Sequence, residues 1–419
     1  MHLKKFLILL LVGLLGSIVL CNVSLTVVNT SFNPQALSAN SLANNELRGV
    51  WLTNVDSNVL FSRENLESSI AKLSRLNFNT LYPTVWNRGY TLYPSHVAKE
   101  TIGVQQRLFN ALRIPNDSHA LESTQGDRNM LQEVIEIAHP LHQKVVPWFE
   151  YGFKAIAETE LIRLHPDWLT SRQDGGNTYT VTDNNHKLVW LNPFHPDVQT
   201  FFLALIDELV RDYEIDGIQF DDRFALPVDF GYDAYTVDLY QQEHSGQLPP
   251  TDCHDLDWVD WRADKLTAFM GEVVDHIKAG RPDAIVSIAV NPYQFAYQNF
   301  LQDWHNWVNK GFVDELVIQL YRSNLDQFVQ EMEREINQLN HTPMPINIGI
   351  LSGVRDRPIP MAIIREQVKT VRAHNLGGFS FFFYESLWQS DTETSAQRYE
   401  SLRTLLDEPT TQHDITAYR

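Results

Sequence analysis

The chain has 419 residues, 43% of them apolar and 20% charged, so it is long enough for one large domain or two ordinary ones and too apolar for global disorder. Its net charge of −19 disfavours nucleic-acid binding, because a phosphate backbone is held by clustered cations. With two cysteines, Cys21 and Cys253, a disulfide framework and a cysteine-rich zinc site are both excluded.

The chain begins with a basic and then apolar segment. Lys4 and Lys5 precede the uncharged, largely apolar residues 6–20, which is the pattern of a secretory signal. We predict that residues 1–21 are a signal peptide or a membrane anchor and that the Asn- and Ser-rich residues 22–46 are a polar linker. The protein is then exported to the periplasm or cell envelope, cleaved free or anchored in the membrane through its N-terminus.

Two further features concern the ends of the chain. Cys21 follows an apolar segment as a lipidated cysteine does, although Leu20 is large for the residue that precedes the lipid attachment site. The last dozen residues, 408–419, have the composition of a flexible tail.

Between these ends, short apolar runs alternate with helical patterns. Pro196, for example, starts a segment whose apolar residues 201, 202, 205 and 209 share one helical face. Eight strands alternating with helices predict a (β/α)8 barrel over residues 47–407. A doubly wound sheet is the alternative, but no glycine-rich phosphate-binding motif follows any strand. The predicted strands are residues 47–55, 78–86, 144–151, 217–222, 285–291, 315–321, 346–351 and 378–384.

Three predicted connections are long, at residues 87–128, 152–195 and 223–257. The second contains an expected hairpin, residues 179–182 with 187–191, that turns through Asp-Asn-Asn at 183–185. All three follow strands and therefore belong to the C-terminal face of the barrel, where this fold places active sites.

Acidic residues follow four of the predicted strands, where a barrel enzyme carries its chemistry. They are Asp56 after the first strand, Glu150 in the third, Asp221 and Asp222 at the end of the fourth, and Glu385 after the eighth. Hydrolysis of a glycosidic bond needs two carboxyl groups, one to protonate the leaving oxygen and one as nucleophile or base. We therefore predict a glycoside hydrolase with Asp221 as nucleophile or base, Glu150 or Glu385 as acid and Asp222 in support.

The fourth strand indicates which of its acids faces the site. Ile218 and Phe220 alternate with Gln219 and Asp221, so the apolar pair can face the helices while Asp221 points into the barrel mouth. Two adjacent acids at the end of an apolar strand are unfavourable unless they are hydrogen-bonded or functional. A helix cap, or an ion pair with Arg223, is the structural alternative.

Aromatic residues make up 11% of the chain and fit either a large core or a cleft that stacks flat ligands such as sugars or bases. Many lie at or just beyond predicted strand ends. With Asp56 and Arg223, we predict that these rings bind substrate: Trp86, Trp148, Tyr151, Trp190, Tyr293, Tyr321 and Trp388.

Other chemistries lack a motif. There is no His-Glu-x-x-His and no Gly-x-Ser-x-Gly, and Cys253 lies in an acidic loop that disfavours a reactive thiolate. We therefore predict no metal ligands and no cofactor.

Four motifs in order resemble the glycosyl-hydrolase-like 10 family over roughly residues 47–387. They are LRGVWLT at residues 47–53, DGIQFDD at 216–222, WRAD at 261–264 and IGI at 348–350. The resemblance implies a TIM-type barrel, export, and hydrolysis of bacterial wall glycans, with peptidoglycan glycan strands as the expected substrate. Glu150 departs from the family pattern, which often has a neutral residue there.

The fourth strand also resembles the chitinase pattern D-G-I-D-x-D-x-E, with two departures. Gln219 replaces the second Asp and Arg223 replaces the final Glu, so substrate-assisted hydrolysis with an acid at that position is not expected. Asp221 matches the position at which other barrel glycosidases carry a nucleophile.

Two other functions fit the same pattern. One is a non-catalytic glycan-binding barrel of the cell envelope. The other is a metal-assisted barrel hydrolase acting through Asp221 and Asp222. The sequence does not define the oligomeric state.

Overall fold

The computed structural model describes residues 46–107, 128–181, 186–339, 344–354 and 357–407. The predicted signal or anchor, nearly all of the linker and the C-terminal tail lie outside these residues, and their boundaries stay predictions. Within the described ranges, no helix is both long enough and apolar enough to cross a membrane.

The main sheet closes into a barrel of eight parallel strand positions, as the sequence predicts. Its order within the described residues is β1-β15-β12-β11-β10-β9-β5-β2, and β1 pairs with β2 to close the ring. The third position is split between β4 and β5. The strands are Leu47–Leu52 (β1), Thr80–Asn87 (β2), Tyr90–Thr91 (β3), Lys144–Val145 (β4), Trp148–Phe149 (β5), Lys154–Ile156 (β6), Thr178–Val181 (β7), Lys187–Trp190 (β8), Gly217–Asp221 (β9), Ile285–Val290 (β10), Glu315–Leu320 (β11), Ile346–Leu351 (β12), Gly353–Val354 (β13), Arg357–Pro358 (β14) and Gly378–Phe382 (β15).

Helices cover the outside of the barrel. The helix that begins at Pro196 buries the predicted apolar face, including Phe201, Phe202 and Leu205, because this spacing brings the side chains onto one side. The helices are Arg63–Ser74 (α1), His96–Ile102 (α2), Met130–Ala138 (α3), Glu160–Leu164 (α4), Pro196–Asp212 (α5), Ala234–Glu243 (α6), Leu256–Gly280 (α7), Tyr293–Phe300 (α8), Trp304–Asn309 (α9), Leu325–Gln338 (α10), Met361–Ala373 (α11) and Ser395–Asp407 (α12).

The two faces of β9 divide as the alternation predicts. Ile218 and Phe220 join the core between strands and helices. Gln219 points inward, where its side chain accepts a hydrogen bond from Trp51 Nε1 at 2.7 Å and donates one to Ser287 Oγ at 2.9 Å. The barrel interior is therefore packed and hydrogen-bonded below the residues at the strand ends.

The long connections build structure at the C-terminal face. The second connection contributes a three-stranded antiparallel sheet, β6-β8-β7, which includes the expected pairing of β7 with β8. The turn that joins these two strands, residues 182–185, lies outside the described residues. The third connection contributes α6.

Arg262, from the WRAD motif, holds the third long connection, residues 223–257, through hydrogen bonds to its backbone. Its side chain is fully buried, and its guanidinium donates to the backbone carbonyls of Val228 and Phe230 at 2.6 Å and of Cys253 at 2.7 Å. Burial lowers the pKa of Arg262 to about 10. The motif residue therefore holds the loop that follows Asp221 in one conformation.

Gly152, in the second long connection, packs against the third connection at a point where there is no room for a side chain. Its φ is +47°, and an added Cβ would lie 2.2 Å from the carbonyl oxygen of Arg223 and 2.5 Å from the nitrogen of Phe224. Both of these are backbone atoms, which cannot rotate aside. The loops after the third and fourth barrel strands are thus in direct backbone contact.

We expect Gly152→Ala to lower the free energy of unfolding by about 2 kcal/mol or more, because it combines a left-handed φ with this clash. Gly246→Ala is the matched control: its φ is +84°, and nothing among the described residues lies within 4 Å of the added Cβ. The control should lose only about 1 kcal/mol. Denaturant unfolding measures both, and equal losses would contradict the close packing.

Candidate active site

Asp221 lies at the C-terminal end of β9, where its side chain is almost completely buried. Its Oδ1 accepts a hydrogen bond from the Arg223 backbone nitrogen at 2.8 Å. Gln302, from the segment after α8, donates to the Asp221 carbonyl oxygen at 3.0 Å. The position of Asp221 is thus fixed through both its side chain and its backbone.

Burial and the neighbouring charge of Asp222 raise the pKa of Asp221 well above its usual value. The Arg223 backbone N–H and the charges of Arg223 and Lys154 act in the opposite direction but do not outweigh them. A carboxyl group in this environment favours its protonated form, which is the form that a general acid needs.

Asp222 is more exposed and is bound by two donors. Asn291 Nδ2 donates to Asp222 Oδ2 at 2.8 Å, and Arg223 Nη2 lies 3.4 Å from the same oxygen. The sequence-level alternative of an ion pair with Arg223 is therefore present for Asp222. Asp221, in contrast, contacts Arg223 through its backbone N–H.

Glu150 follows β5, and a ring of neutral donors holds one of its oxygens. Its Oε2 accepts from Thr53 Oγ1 at 3.0 Å, Thr84 Oγ1 at 3.1 Å and Asn87 Nδ2 at 2.7 Å. Burial raises the pKa of Glu150, although these three hydrogen bonds and the charge of Arg88 oppose the shift. Residues from the first two barrel strand positions thus orient the carboxyl group that follows the third.

The charges of three of the predicted acids act on Tyr321, which follows β11. Burial and the charges of Asp222, Asp221 and Glu150 raise the pKa of its hydroxyl well above the usual value. Its ring stacks on Phe382 with centroids 5.1 Å apart. We refer to Glu150, Asp221 and Asp222 as the carboxyl cluster; Tyr321 lies within electrostatic range of all three.

Glu385 and Asp56 have other surroundings. Glu385 Oε1 accepts from the backbone nitrogens of Asn58 at 2.8 Å and Val59 at 3.1 Å, so it ties the loop after β1 to the end of the barrel. Burial raises the pKa of Glu385. Asp56 lies in the same loop with a φ of +56°, and its charge acts on Arg88. The structure thus places Glu385 in a loop-holding position.

Two of the predicted aromatic platforms have no exposed surface. Trp86 and Trp190 are fully buried, and their indole N–H groups donate to the backbone carbonyls of Gly152 and Ala225. Trp148 is also buried and packs inside the barrel against Trp51 and Phe382. Trp86 packs on Phe201 and Phe202 of α5, and Trp190 packs on Tyr179 and Phe300. All three tryptophan rings are therefore packing residues that present no open face to a ligand.

The other predicted rings are half-buried and differ in their neighbours. Trp388 packs on the outer helices, with Lys72 Nζ 3.2 Å from its ring centroid. Tyr293 stacks on His305 with centroids 3.6 Å apart and donates its hydroxyl to Asp303. Tyr151 and Tyr321 are therefore the predicted rings on which the charges of the carboxyl cluster act.

Two cations that the sequence pattern does not single out lie beside the Tyr151 ring. Lys154 Nζ lies 4.0 Å from its ring centroid and Arg88 Cζ lies 5.6 Å from it, while Arg88 Nε donates to the hydroxyl at 3.3 Å. Burial alone would raise the pKa of Tyr151, but the charges of Arg88 and Lys154 bring it below the usual value. Arg223, which the sequence predicts to bind substrate, lies over the Phe300 ring, with its Cζ 5.2 Å from the ring centroid.

Several neutral residues that orient the cluster were also missed. Asn87, Asn291 and Gln302 each donate to a carboxylate or to the backbone that carries one. Asn87 and Asn291 directly follow or end predicted strands, which is the one signal that could have identified them. In the described parts of the chain, no group of three His, Cys, Asp or Glu side chains is arranged to hold a metal ion.

A closed parallel barrel with carboxyl groups gathered at the C-terminal ends of its strands is the architecture of the barrel glycoside hydrolases. Within that class, the chain belongs to the glycosyl hydrolase-like 10 family, whose sequence model matches residues 46–370. The family resemblance drawn from the four motifs is confirmed.

Two relatives carry the name glycosyl hydrolase. YngK from Bacillus subtilis is 21% identical over 245 residues, covering 52% of this chain and 44% of YngK. DigH from Escherichia coli strain K12 is 22% identical over 318 residues, covering 66% of this chain and 65% of DigH. The chain therefore spans less than two thirds of the length of either relative.

The fold also matches a solved structure, the glycoside hydrolase domain of PgaB (BpsB) from Bordetella bronchiseptica. The TM-score is 0.56 at 13% identity, with 86% of this chain and 98% of that chain covered. At this identity the likeness establishes a common fold and confirms the predicted (β/α)8 barrel.

Proposed function

We propose that this protein is an exported glycoside hydrolase that cleaves a cell-envelope polysaccharide, with peptidoglycan glycan strands as the substrate. The observation that carries the proposal is that Glu150 and Asp221 lie next to each other at the C-terminal ends of the paired strands β5 and β9. Asp222 follows Asp221 directly in the chain. Glycoside hydrolysis needs two carboxyl groups in different protonation states, and this cluster provides unlike environments for its members. The family supports the reaction class, and the names of YngK and DigH agree with it.

The surroundings of the three carboxyl groups also suggest what each one does in the reaction. Asp221 protonates the glycosidic oxygen, because burial and Asp222 favour its protonated form. Glu150 acts on the opposite side of the sugar as nucleophile or base, since three donors orient it. Asp222, held by Asn291 and Arg223, helps to keep the proton on Asp221. This reverses the sequence-based order, in which Asp221 was the nucleophile or base.

Export is proposed from the N-terminal sequence, where Lys4 and Lys5 precede the apolar residues 6–20. A wall polysaccharide is accessible only to an exported enzyme, so the location and the substrate support each other. Fractionation of cells that express the full chain, compared with a chain lacking residues 1–21, tests the location. Equal recovery of both forms in the cytoplasmic fraction would contradict it.

Peptide-free peptidoglycan strands, chitin oligosaccharides and a neutral β-glucan form a suitable substrate panel. We expect the full chain to release reducing ends from the peptidoglycan strands, and to do so equally in buffer with a chelator. Saturable binding without any release across the panel would favour a glycan-binding barrel. Loss of release in the chelator would favour metal-assisted hydrolysis through Asp221 and Asp222.

A further inference from the structure

In a chain with a net charge of −19, two cations lie side by side next to the carboxyl cluster. They are Lys154 at the start of β6 and Arg223 just after β9. The charges of both act on Asp221, and the charge of Arg223 also acts on Lys154. Such a local concentration of positive charge needs a physical explanation, because like charges repel one another.

The backbone fixes the two cations in this arrangement. Phe153 N donates to the Arg223 carbonyl oxygen at 3.1 Å, and Gly152 packs directly on the same peptide. Lys154 also belongs to the β6–β8 pairing, opposite Trp190. The backbone segments that carry the two cations are therefore held against each other.

Their existing partners leave positive charge available. Lys154 has the Tyr151 ring beneath it, and among the described residues no carboxylate oxygen lies within the 4.0 Å of an ion pair. Arg223 makes one long pair, 3.4 Å, with an Asp222 oxygen that Asn291 already binds at 2.8 Å. Burial and the charge of Arg223 lower the pKa of Lys154, although Tyr151, Asp222 and Asp221 oppose this.

We propose that Lys154 and Arg223 form a subsite for a carboxylate carried by the glycan substrate, beside the carboxyl cluster. A carboxylate suits the site because the planar guanidinium of Arg223 can donate two parallel hydrogen bonds to it. It would also place a negative charge between two cations that repel each other when the subsite is empty. A dianionic phosphate would meet stronger repulsion from Asp221 and Asp222. The inference rests on the proposed glycan hydrolysis and assigns to Lys154 and Arg223 the recognition of the acidic sugar in its substrate.

The test compares two forms of one substrate. The first is a glycan of alternating N-acetylglucosamine and N-acetylmuramic acid, whose lactyl groups carry carboxylates. The second is the same glycan with those carboxylates reduced to alcohols. We expect wild-type kcat/KM to be at least about tenfold higher for the carboxylate form, since one charge-assisted contact contributes that much.

Lys154→Met should reduce this preference about tenfold, chiefly through KM, and Lys154→Arg should restore most of it. Lys265→Met is the matched control, because Lys265 also lies over an aromatic ring, 5.2 Å from the centroid of Trp261, but on the outer helix α7. The control should keep the wild-type preference. Thermal unfolding of each variant shows that the fold is retained.

The outcomes separate this inference from the proposed function. If the wild type cleaves both glycan forms equally, the subsite is wrong and the hydrolase stands. If Lys154→Met lowers kcat/KM for both forms by the same factor, Lys154 is only a counterion for the carboxyl cluster and the subsite is again wrong. If neither form is cleaved but calorimetry shows tighter binding of the carboxylate form that depends on Lys154, the subsite stands and the hydrolase fails.

Discussion

Asp221→Asn is expected to lower turnover on the natural glycan by about a thousandfold or more, because it removes the proton donor to the leaving oxygen. Asn keeps the size of Asp, and its carbonyl oxygen can still accept from the Arg223 backbone N–H that now binds Oδ1 at 2.8 Å. The loss should therefore appear in kcat. Reducing-end release from the wild-type substrate measures it, and wild-type turnover in the variant would exclude Asp221 from the reaction.

The leaving group distinguishes the two roles considered for Asp221. A glycosyl fluoride or dinitrophenyl glycoside leaves with little need for a proton, so the Asp221→Asn variant should lose far less on it than on the glycan. An equal loss on both substrates would instead identify Asp221 as the nucleophile or base. We expect wild-type kcat/KM to fall at high pH as Asp221 ionises, and this fall should be absent from the variant.

The same substitution should stabilise the fold at neutral pH. The folded-state pKa of Asp221 is raised above its unfolded value, so the folded state binds this proton more tightly. The stabilisation that this proton gives to the folded state is fully present below the unfolded-state pKa of Asp221. It is lost as the pH rises through the folded-state pKa. Asn has no charge to desolvate, so we expect a higher Tm for the variant at pH 7 and a smaller difference at pH 4. A lower Tm at pH 7 would contradict the burial penalty.

The sequence predicted the barrel and part of its site because both depend on short-range patterns. A period of two in β9 separates Ile218 and Phe220 from Gln219 and Asp221, and this division does not depend on distant residues. Position at a strand end likewise made Glu150 and Asp222 candidates for the site. Parallel strands bring such ends together whatever the loops do.

The missed residues depend on contacts between loops. Lys154 reaches the carboxyl cluster only because Gly152 packs on the Arg223 peptide, a contact between residues 71 positions apart in the chain. Arg88 lies in a turn with a φ of +57°, and no sequence period marks its direction. Trp86 and Trp190 show the reverse problem, since a ring at a strand end can face either the helices or the mouth.

Glu150→Gln is expected to lower kcat by about a hundredfold to ten-thousandfold on activated and natural substrates alike, because a nucleophile or base is needed whatever the leaving group. The geometry should survive, since the amide oxygen of Gln can accept from Thr53, Thr84 and Asn87 as Oε2 does now. Steady-state kinetics on the glycan and on a glycosyl fluoride measure the effect. The contrast with Asp221→Asn, which depends on the leaving group, would assign the two carboxyl groups separately.

Glu385→Gln is the matched control, because Glu385, like Glu150, is a half-buried acid just beyond a barrel strand. Its Oε1 accepts from two backbone nitrogens of the β1–α1 loop, at Asn58 and Val59, and a Gln carbonyl oxygen can do the same. We expect this variant to keep turnover within about threefold of wild type, because a neutral acceptor still holds the loop. If Glu385→Gln loses turnover while Glu150→Gln retains it, the second carboxyl group of the reaction belongs to the eighth barrel strand and not the third.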